Sequence, residues 1–126
     1  LYLERCASYF DTTSKDIKIS ESFLKPKVEH YNYDYFSNIH YTFDLSKEVG
    51  ERVVSIKFKN EKLKDDDTLC LVMNNYRASG AGGYEFLDEC ETIKEIMVEM
   101  PEVIINYFKN NKNVVVDKSR YLTIIK

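Results

Sequence analysis

The sequence has no surplus of basic residues: 18 Lys and Arg stand against 21 Asp and Glu, a formal net charge of −3, and no basic face gathers along the chain. The electrostatic attraction that dominates duplex nucleic-acid binding is missing, so duplex nucleic acid is not an expected partner. Long apolar runs are absent too. A bilayer crossing needs about 20 consecutive apolar residues, and no charged-then-apolar start reads as a signal peptide, so no membrane span is expected. Cysteine is scarce. Cys6, Cys70 and Cys90 are odd in number and far apart, which suits neither a disulfide framework nor a zinc site; buried free thiols are the plainer reading. His30 and His40 are the only histidines and do not stand at metal-ligand spacing. Asp65-Asp66-Asp67 lacks the Gly and Glu that a calcium-binding EF-hand loop needs at its sixth and twelfth positions, and reads as a solvated turn.

What remains is enough for one core. The 126 residues are 44% apolar and 13% aromatic, which excludes disorder and points to a single domain. Residues 1–10 read as the end of a helix, with Leu3, Cys6, Ala7 and Phe10 on one face and the Asp11-Thr12-Thr13-Ser14 cluster stopping it. Because Leu1 opens inside this amphipathic segment, the natural chain is expected to extend upstream. Residues 15–29 allow at most a short edge strand around Ile17 and Ile19, since Pro26 removes a ladder donor. Ile39, Tyr41, Phe43 and Leu45 alternate with His40, Thr42, Asp44 and Ser46, the period of a half-buried strand, and Val54, Ile56 and Phe58 repeat the pattern. Leu69 to Met73 is apolar on both faces and predicts the centre of the sheet. Residues 91–99 fit either a short helix or a strand. Pro101 suits a first helical turn and predicts a helix with Val103, Ile104, Tyr107 and Phe108 as its stripe; Val114–Val116 and Leu122–Ile125 predict terminal strands.

Three of the four glycines fall in the segment NNYRASGAGGY, residues 74–84, at the exit of the expected central strand. Such a concentration implies positive φ angles, or close approach by something a Cβ would block. A ligand is one candidate; a tight loop packed under a neighbouring element is as good an account from glycine alone. Asn75, Tyr76 and Arg77 add an amide, an aromatic face and a guanidinium, the equipment for stacking a flat heterocycle and bonding its edge. The loop is neither a phosphate-cradling Walker sequence nor GxGxxG, and Ser79 is not in a nucleophile elbow. A second cluster, YNYDYF at residues 31–36, reads as core or as a recognition wall.

From Tyr31 to Leu87 the sequence resembles the C-terminal domain of the 5'-nucleotidase family, in particular its bacterial 2',3'-cyclic-nucleotide 2'-phosphodiesterase/3'-nucleotidase branch. The likeness rests on the YNYD entry, the strand IHYTFDLSK, the turn EVGERV and the loop NNYRASGAGG, with the opening LYLERCASYF in support. The resemblance implies an α+β fold with antiparallel or mixed sheets covered by helices, in layers of α/β/β/α type. It implies that residues 1–126 are a truncated substrate-binding domain, and that a separate N-terminal metallophosphoesterase domain carries two divalent metals and the hydrolysis. No catalytic residue and no metal ligand is then expected in this chain, which alone should be inactive. The substrate-binding residues so implied are Tyr76 as the stacking aromatic, with Asn75, Arg77, Gly80, Gly82, Gly83, Asn32 and Tyr33 around it. Gly82 departs from family members that carry Asp there, and neither Arg5 nor Arg52 occupies the motif of the family's phosphate-contacting arginines. The partners implied are a nucleotide or nucleoside substrate and the metal-bearing domain; the place implied is extracellular, cell-wall or periplasmic. The alternative is an interaction or structural module of the same fold that no longer binds nucleotide.

Overall fold

A computed structural model describes residues 1–13 and 15–126. Ser14, one of the residues expected to stop the first helix, lies outside the described residues. Helix α1 (Tyr2–Ala7) buries Leu3, Cys6 and Ala7 on one face. It ends at Ala7 rather than running to Phe10, because Phe10 enters strand β1 (Phe10–Thr12) and pairs with Ile19 of β2 (Ile17–Ile19) in a small antiparallel sheet. A residue on the helical stripe by spacing thus belongs to a hairpin by pairing.

The main sheet has four strands in the order β5-β4-β3-β6, namely Glu61–Lys62, Val53–Phe58, Ile39–Asp44 and Leu122–Ile125. β3 and β4 are antiparallel from Ile39↔Phe58 onward, with an irregularity between Thr42 and Phe43, whereas β6 runs parallel to β3 from Tyr41↔Leu122 to Asp44↔Ile125. A parallel neighbour requires a long crossover, and residues 63–121 supply it. The class is therefore α+β with antiparallel and mixed sheets, as expected. Period-two alternation sends Tyr41 and Phe43 into the core with Leu45 and leaves His40 exposed on the opposite, polar face.

Helix α1 covers the apolar face, where Leu3, Cys6 and Ala7 join Tyr41, Phe43, Leu45 and Tyr84. A polar clamp sets its position. The Glu4 carboxylate accepts the backbone N–H groups of Arg52 (3.0 Å) and Val53 (2.7 Å) at the start of β4. In return the buried Arg52 donates from Nη1 to the carbonyls of Ala7 (3.3 Å) and Phe10 (2.6 Å) and from Nε to that of Lys47 (3.1 Å). The bond to Ala7 satisfies a carbonyl that the end of α1 leaves open, and all three are charge-assisted.

The expected central strand at Leu69–Met73 does not form: the run pairs with no strand among the described residues, and Val72 is 87% exposed. β3 holds the centre instead, with β6 beside it. A short apolar run becomes a strand only where a neighbour supplies its ladder, and composition alone cannot say whether one does. Val114–Val116 is likewise without strand structure, and residues 91–99 form neither helix nor strand. Helix α3 (Met100–Asn110) forms as expected, with Pro101 in its first turn and Lys109 in its last, yet Val103, Ile104, Tyr107 and Phe108 all stay exposed. Accessible surface totals 10127 Å², against about 7,000 Å² for a folded monomer of this mass.

Candidate functional site

Asn74 starts the glycine segment by capping α2 (Asn75–Ala78): its Oδ1 accepts the Arg77 N–H at 2.8 Å, as a short polar side chain at an N-cap does. One helical turn sends consecutive side chains to different sides. Tyr76 is 47% exposed, whereas Arg77 is 4% exposed. Asn75 is exposed and turns its Oδ1 back onto the Tyr76 N–H at 2.9 Å. The Tyr84 N–H then donates to the Gly80 carbonyl at 3.0 Å and closes the glycine loop.

Inside this loop the close approach that glycine permits is made by the chain's own side chains. Gly82 has φ +82°, and a Cβ there would lie 2.2 Å from Asn32 Oδ1 and 2.6 Å from Arg77 Nη1. A Cβ on Gly83 would lie 2.6 Å from Arg5 Nε, while the buried Gly80 abuts the backbone of Tyr84 and Glu85. Both arginines donate to the loop: Arg77 Nη1 bonds the Ala81 carbonyl, and Arg5 Nη2 bonds the Gly82 carbonyl at 3.1 Å.

Arg77 fastens the loop to the aromatic cluster. Its Nη2 donates to Asp34 Oδ1 at 3.0 Å and to the Tyr31 carbonyl at 3.3 Å, and its Nε meets Asp34 Oδ2 at 2.5 Å as an ionic contact. The second carboxylate oxygen also accepts the Tyr2 hydroxyl at 2.6 Å. Burial opposes the Arg77 charge, but the hydrogen bond and Coulomb attraction of Asp34 outweigh it and hold the guanidinium pKa above its ordinary value. The Tyr2 hydroxyl is pushed up, first by burial and then by its bond to Asp34. The guanidinium also lies 4.0 Å from the Tyr84 ring centroid and 5.6 Å from that of Tyr76, two cation–π contacts.

Asn32 is buried and joins three elements. Its Nδ2 donates to Glu29 Oε2 at 2.9 Å, its Oδ1 accepts the Tyr76 hydroxyl at 3.4 Å, and its carbonyl accepts the Tyr84 hydroxyl at 3.0 Å. Tyr84 is fully buried with its oxygen 3.4 Å from Cys6 Sγ, and burial raises the pKa values of both groups. Tyr33 packs against Tyr9 and Phe10, at centroid distances of 4.6 and 5.5 Å, and burial raises its hydroxyl as well. It therefore stands within the aromatic core, apart from the exposed ring of Tyr76.

The structure thus gathers Tyr76, Arg77, Gly82 and Asn32 at one place, with Gly80 and Gly83 shaping the loop and Asn75 at its rim. It adds Asp34, Arg5 and Tyr84, to which the sequence reading gives no role in the site. Asp34 and Arg5 look like exposed decoration in a single sequence; the one signal is the carboxylate of Asp34 within an aromatic run, opposite in charge to Arg77 beside the glycines. A hollow of about 290 Å³ lies elsewhere, on the polar face between His40, Thr42, Ser55, Lys57, Asn60 and Thr123, and no loop residue lines it. Among the described residues no three His, Cys, Asp or Glu side chains group as a metal ion requires.

Comparison with known proteins meets this geometry. The family model for the 5'-nucleotidase C-terminal domain matches residues 3–89. The trifunctional nucleotide phosphoesterase protein YfkN of Bacillus subtilis is 23% identical over 125 aligned residues, which cover 90% of this chain and 8% of that protein. A Staphylococcus aureus protein provisionally assigned as a 5'-nucleotidase, solved in complex with alpha-ketoglutarate, superposes with a TM-score of 0.81 at 28% identity. That match covers 99% of this chain and 24% of the other, so the chain spans a minor part of either relative's length.

Proposed function

Because the chain belongs to the 5'-nucleotidase C-terminal domain family, we propose that it is the nucleoside-recognising part of a nucleotide phosphoesterase, with the Tyr76 ring as the platform for the base. A separate metallophosphoesterase domain of the same polypeptide then cleaves the phosphoester, in an enzyme acting outside the cytoplasmic membrane. Cyclic 2',3'-nucleotides are the substrate class, following the branch that the glycine loop resembles. No step of the cleavage runs through this chain's residues; what they do is bind and orient.

One observation carries the reading. Tyr76 keeps nearly half its surface open on a turn that the Asn74 cap closes and whose Arg77 side chain is bonded into the protein. An aromatic ring of fixed orientation with a free face loses little entropy on stacking, and such stacking is worth about 1 to 3 kcal/mol per base. Asn75, exposed beside the ring, offers amide groups to the base edge. Asn32 accepts the Tyr76 hydroxyl, and Gly82 and Gly83 let Asn32, Arg77 and Arg5 lie close against the loop, while Gly80 abuts the backbone of Tyr84 and Glu85.

The rival reading, a module that binds no nucleotide, draws support from the inward packing of Arg77 and the glycines. Titrating AMP into the chain while following the amide resonances of residues 74–84 decides between them. Saturable shifts centred on Tyr76, weakened about 5- to 150-fold in Tyr76→Ala, are expected from the stacking energy. Shifts that survive Tyr76→Ala unchanged, or no saturable shifts at all, would remove the assignment.

A further inference from the structure

We infer that Arg77 is a positioning residue: through its ion pair with Asp34 it holds the Tyr76 ring and the glycine loop in register, and it does not contact the ligand itself. The inference rests on the base-stacking reading above and assigns Arg77, which adjoins the stacking ring in sequence, a different job from Tyr76.

Geometry leaves the guanidinium little capacity for a guest. Arg77 is 4% exposed, and its donors already face the Ala81 carbonyl, the Tyr31 carbonyl and both oxygens of Asp34. Tyr84 covers one of its faces at 4.0 Å. An arginine that reached out to bind a phosphate or a base would have to leave both its Asp34 partner and the buried position that its donors now satisfy. The contacts also run in the direction a positioning role needs. Ala81 is in the glycine loop, Tyr31 and Asp34 are in the aromatic segment, and Tyr76 is the adjacent residue on the same single turn of helix. Asn32 fastens the same two segments a second time, by accepting the Tyr76 hydroxyl. Tyr2 extends the support to helix α1 by donating to the Asp34 carboxylate. A planar fork matched to a carboxylate in this way fixes direction as well as distance, which a lysine ammonium does not do.

The test is a double-mutant cycle on nucleoside affinity, because a residue that acts only through the ring must lose its effect when the ring is gone. Adenosine dissociation constants are measured by amide shifts in the wild-type chain, Asp34→Asn, Tyr76→Ala and the double variant, with amide hydrogen exchange at Ala81–Tyr84 in the free proteins. Asp34→Asn is expected to weaken adenosine at least about threefold, to speed exchange in the loop, and to cost nothing further in the Tyr76→Ala background. Should Asp34→Asn not fold, Tyr2→Phe removes one hydrogen bond from the same carboxylate and is expected to give the same pattern at smaller size. Unchanged affinity with wild-type loop protection, or an equal loss with and without Tyr76, overturns the positioning role while leaving base stacking in place. Absence of adenosine binding by the wild-type chain overturns the stacking reading and this inference with it.

Discussion

Replacing Gly82 by alanine separates what the backbone needs from what the neighbours need. At φ +82° any L side chain is strained, which costs about 1 to 2 kcal/mol. The larger effect is contact. The new Cβ would sit 2.2 Å from Asn32 Oδ1 and 2.6 Å from Arg77 Nη1, so both side chains must move. Asn32 cannot swing into solvent without leaving its bond to Glu29 and giving up the Tyr76 hydroxyl that its Oδ1 accepts. Leaving one such buried polar group unsatisfied costs about 1 to 3 kcal/mol, and the sum for Gly82→Ala is about 2 to 5 kcal/mol. Gly50 provides the control: its φ is +102°, but nothing lies within 4 Å of an added Cβ, so Gly50→Ala bears the backbone cost alone. Urea denaturation followed by circular dichroism measures both. If Gly82→Ala loses no more stability than Gly50→Ala, the packing of Asn32 and Arg77 against the glycine loop is not what holds this region together.

Arg52→Met keeps an apolar stem but strips the donors from the carbonyls of Ala7, Phe10 and Lys47; urea melts should show a loss of about 2 to 4 kcal/mol, against under about 0.5 kcal/mol for the same change at exposed Arg120. Equal effects at the two sites would remove Arg52 as the anchor of α1. Alkaline pH should unfold the protein through its buried tyrosines. Burial pushes the Tyr41 hydroxyl from 10.0 up to about 12 and raises that of Tyr84 further. The folded state then keeps protons that the unfolded chain gives up. Stability is intact below pH 10 and falls above it, by about 1.4 kcal/mol per pH unit for each buried phenol. Tyrosinate absorbance should show these hydroxyls ionising together with the loss of far-ultraviolet dichroism; full titration near pH 10 in a protein still folded would contradict it.

Strands β3 and β4 were legible because their two faces meet different surroundings: Tyr41 and Phe43 enter the core while His40 faces the open polar side. Leu69–Met73 misled for the converse reason. Its apolar residues carry no record of whether a partner strand lies beside them, and β6, far along the chain, holds the place next to β3. The α3 stripe was correctly read as helical, since Pro101 and the spacing of Val103, Ile104, Tyr107 and Phe108 are local features, but its lack of cover is a tertiary fact. At the loop, glycine clustering announced that something comes close without saying what. Asn32 and Arg5 reach it from distant positions, and only the folded chain brings them there. The contrast between exposed Tyr76 and buried Arg77 was equally hidden, because the folded turn α2, capped by Asn74, decides which of two adjacent side chains turns inward.

The parallel pairing of β6 with β3 has a consequence for how the protein comes into being. On an elongating polypeptide, one edge of β3 waits with unpaired amides and carbonyls until residues 63–121 have been made and Leu122–Ile125 emerges behind them. Until then that edge is a template for any passing strand. Closing so long a segment is entropically slow, so the finished sheet forms late in biogenesis, and the nascent intermediate is the species that chaperones would have to shield.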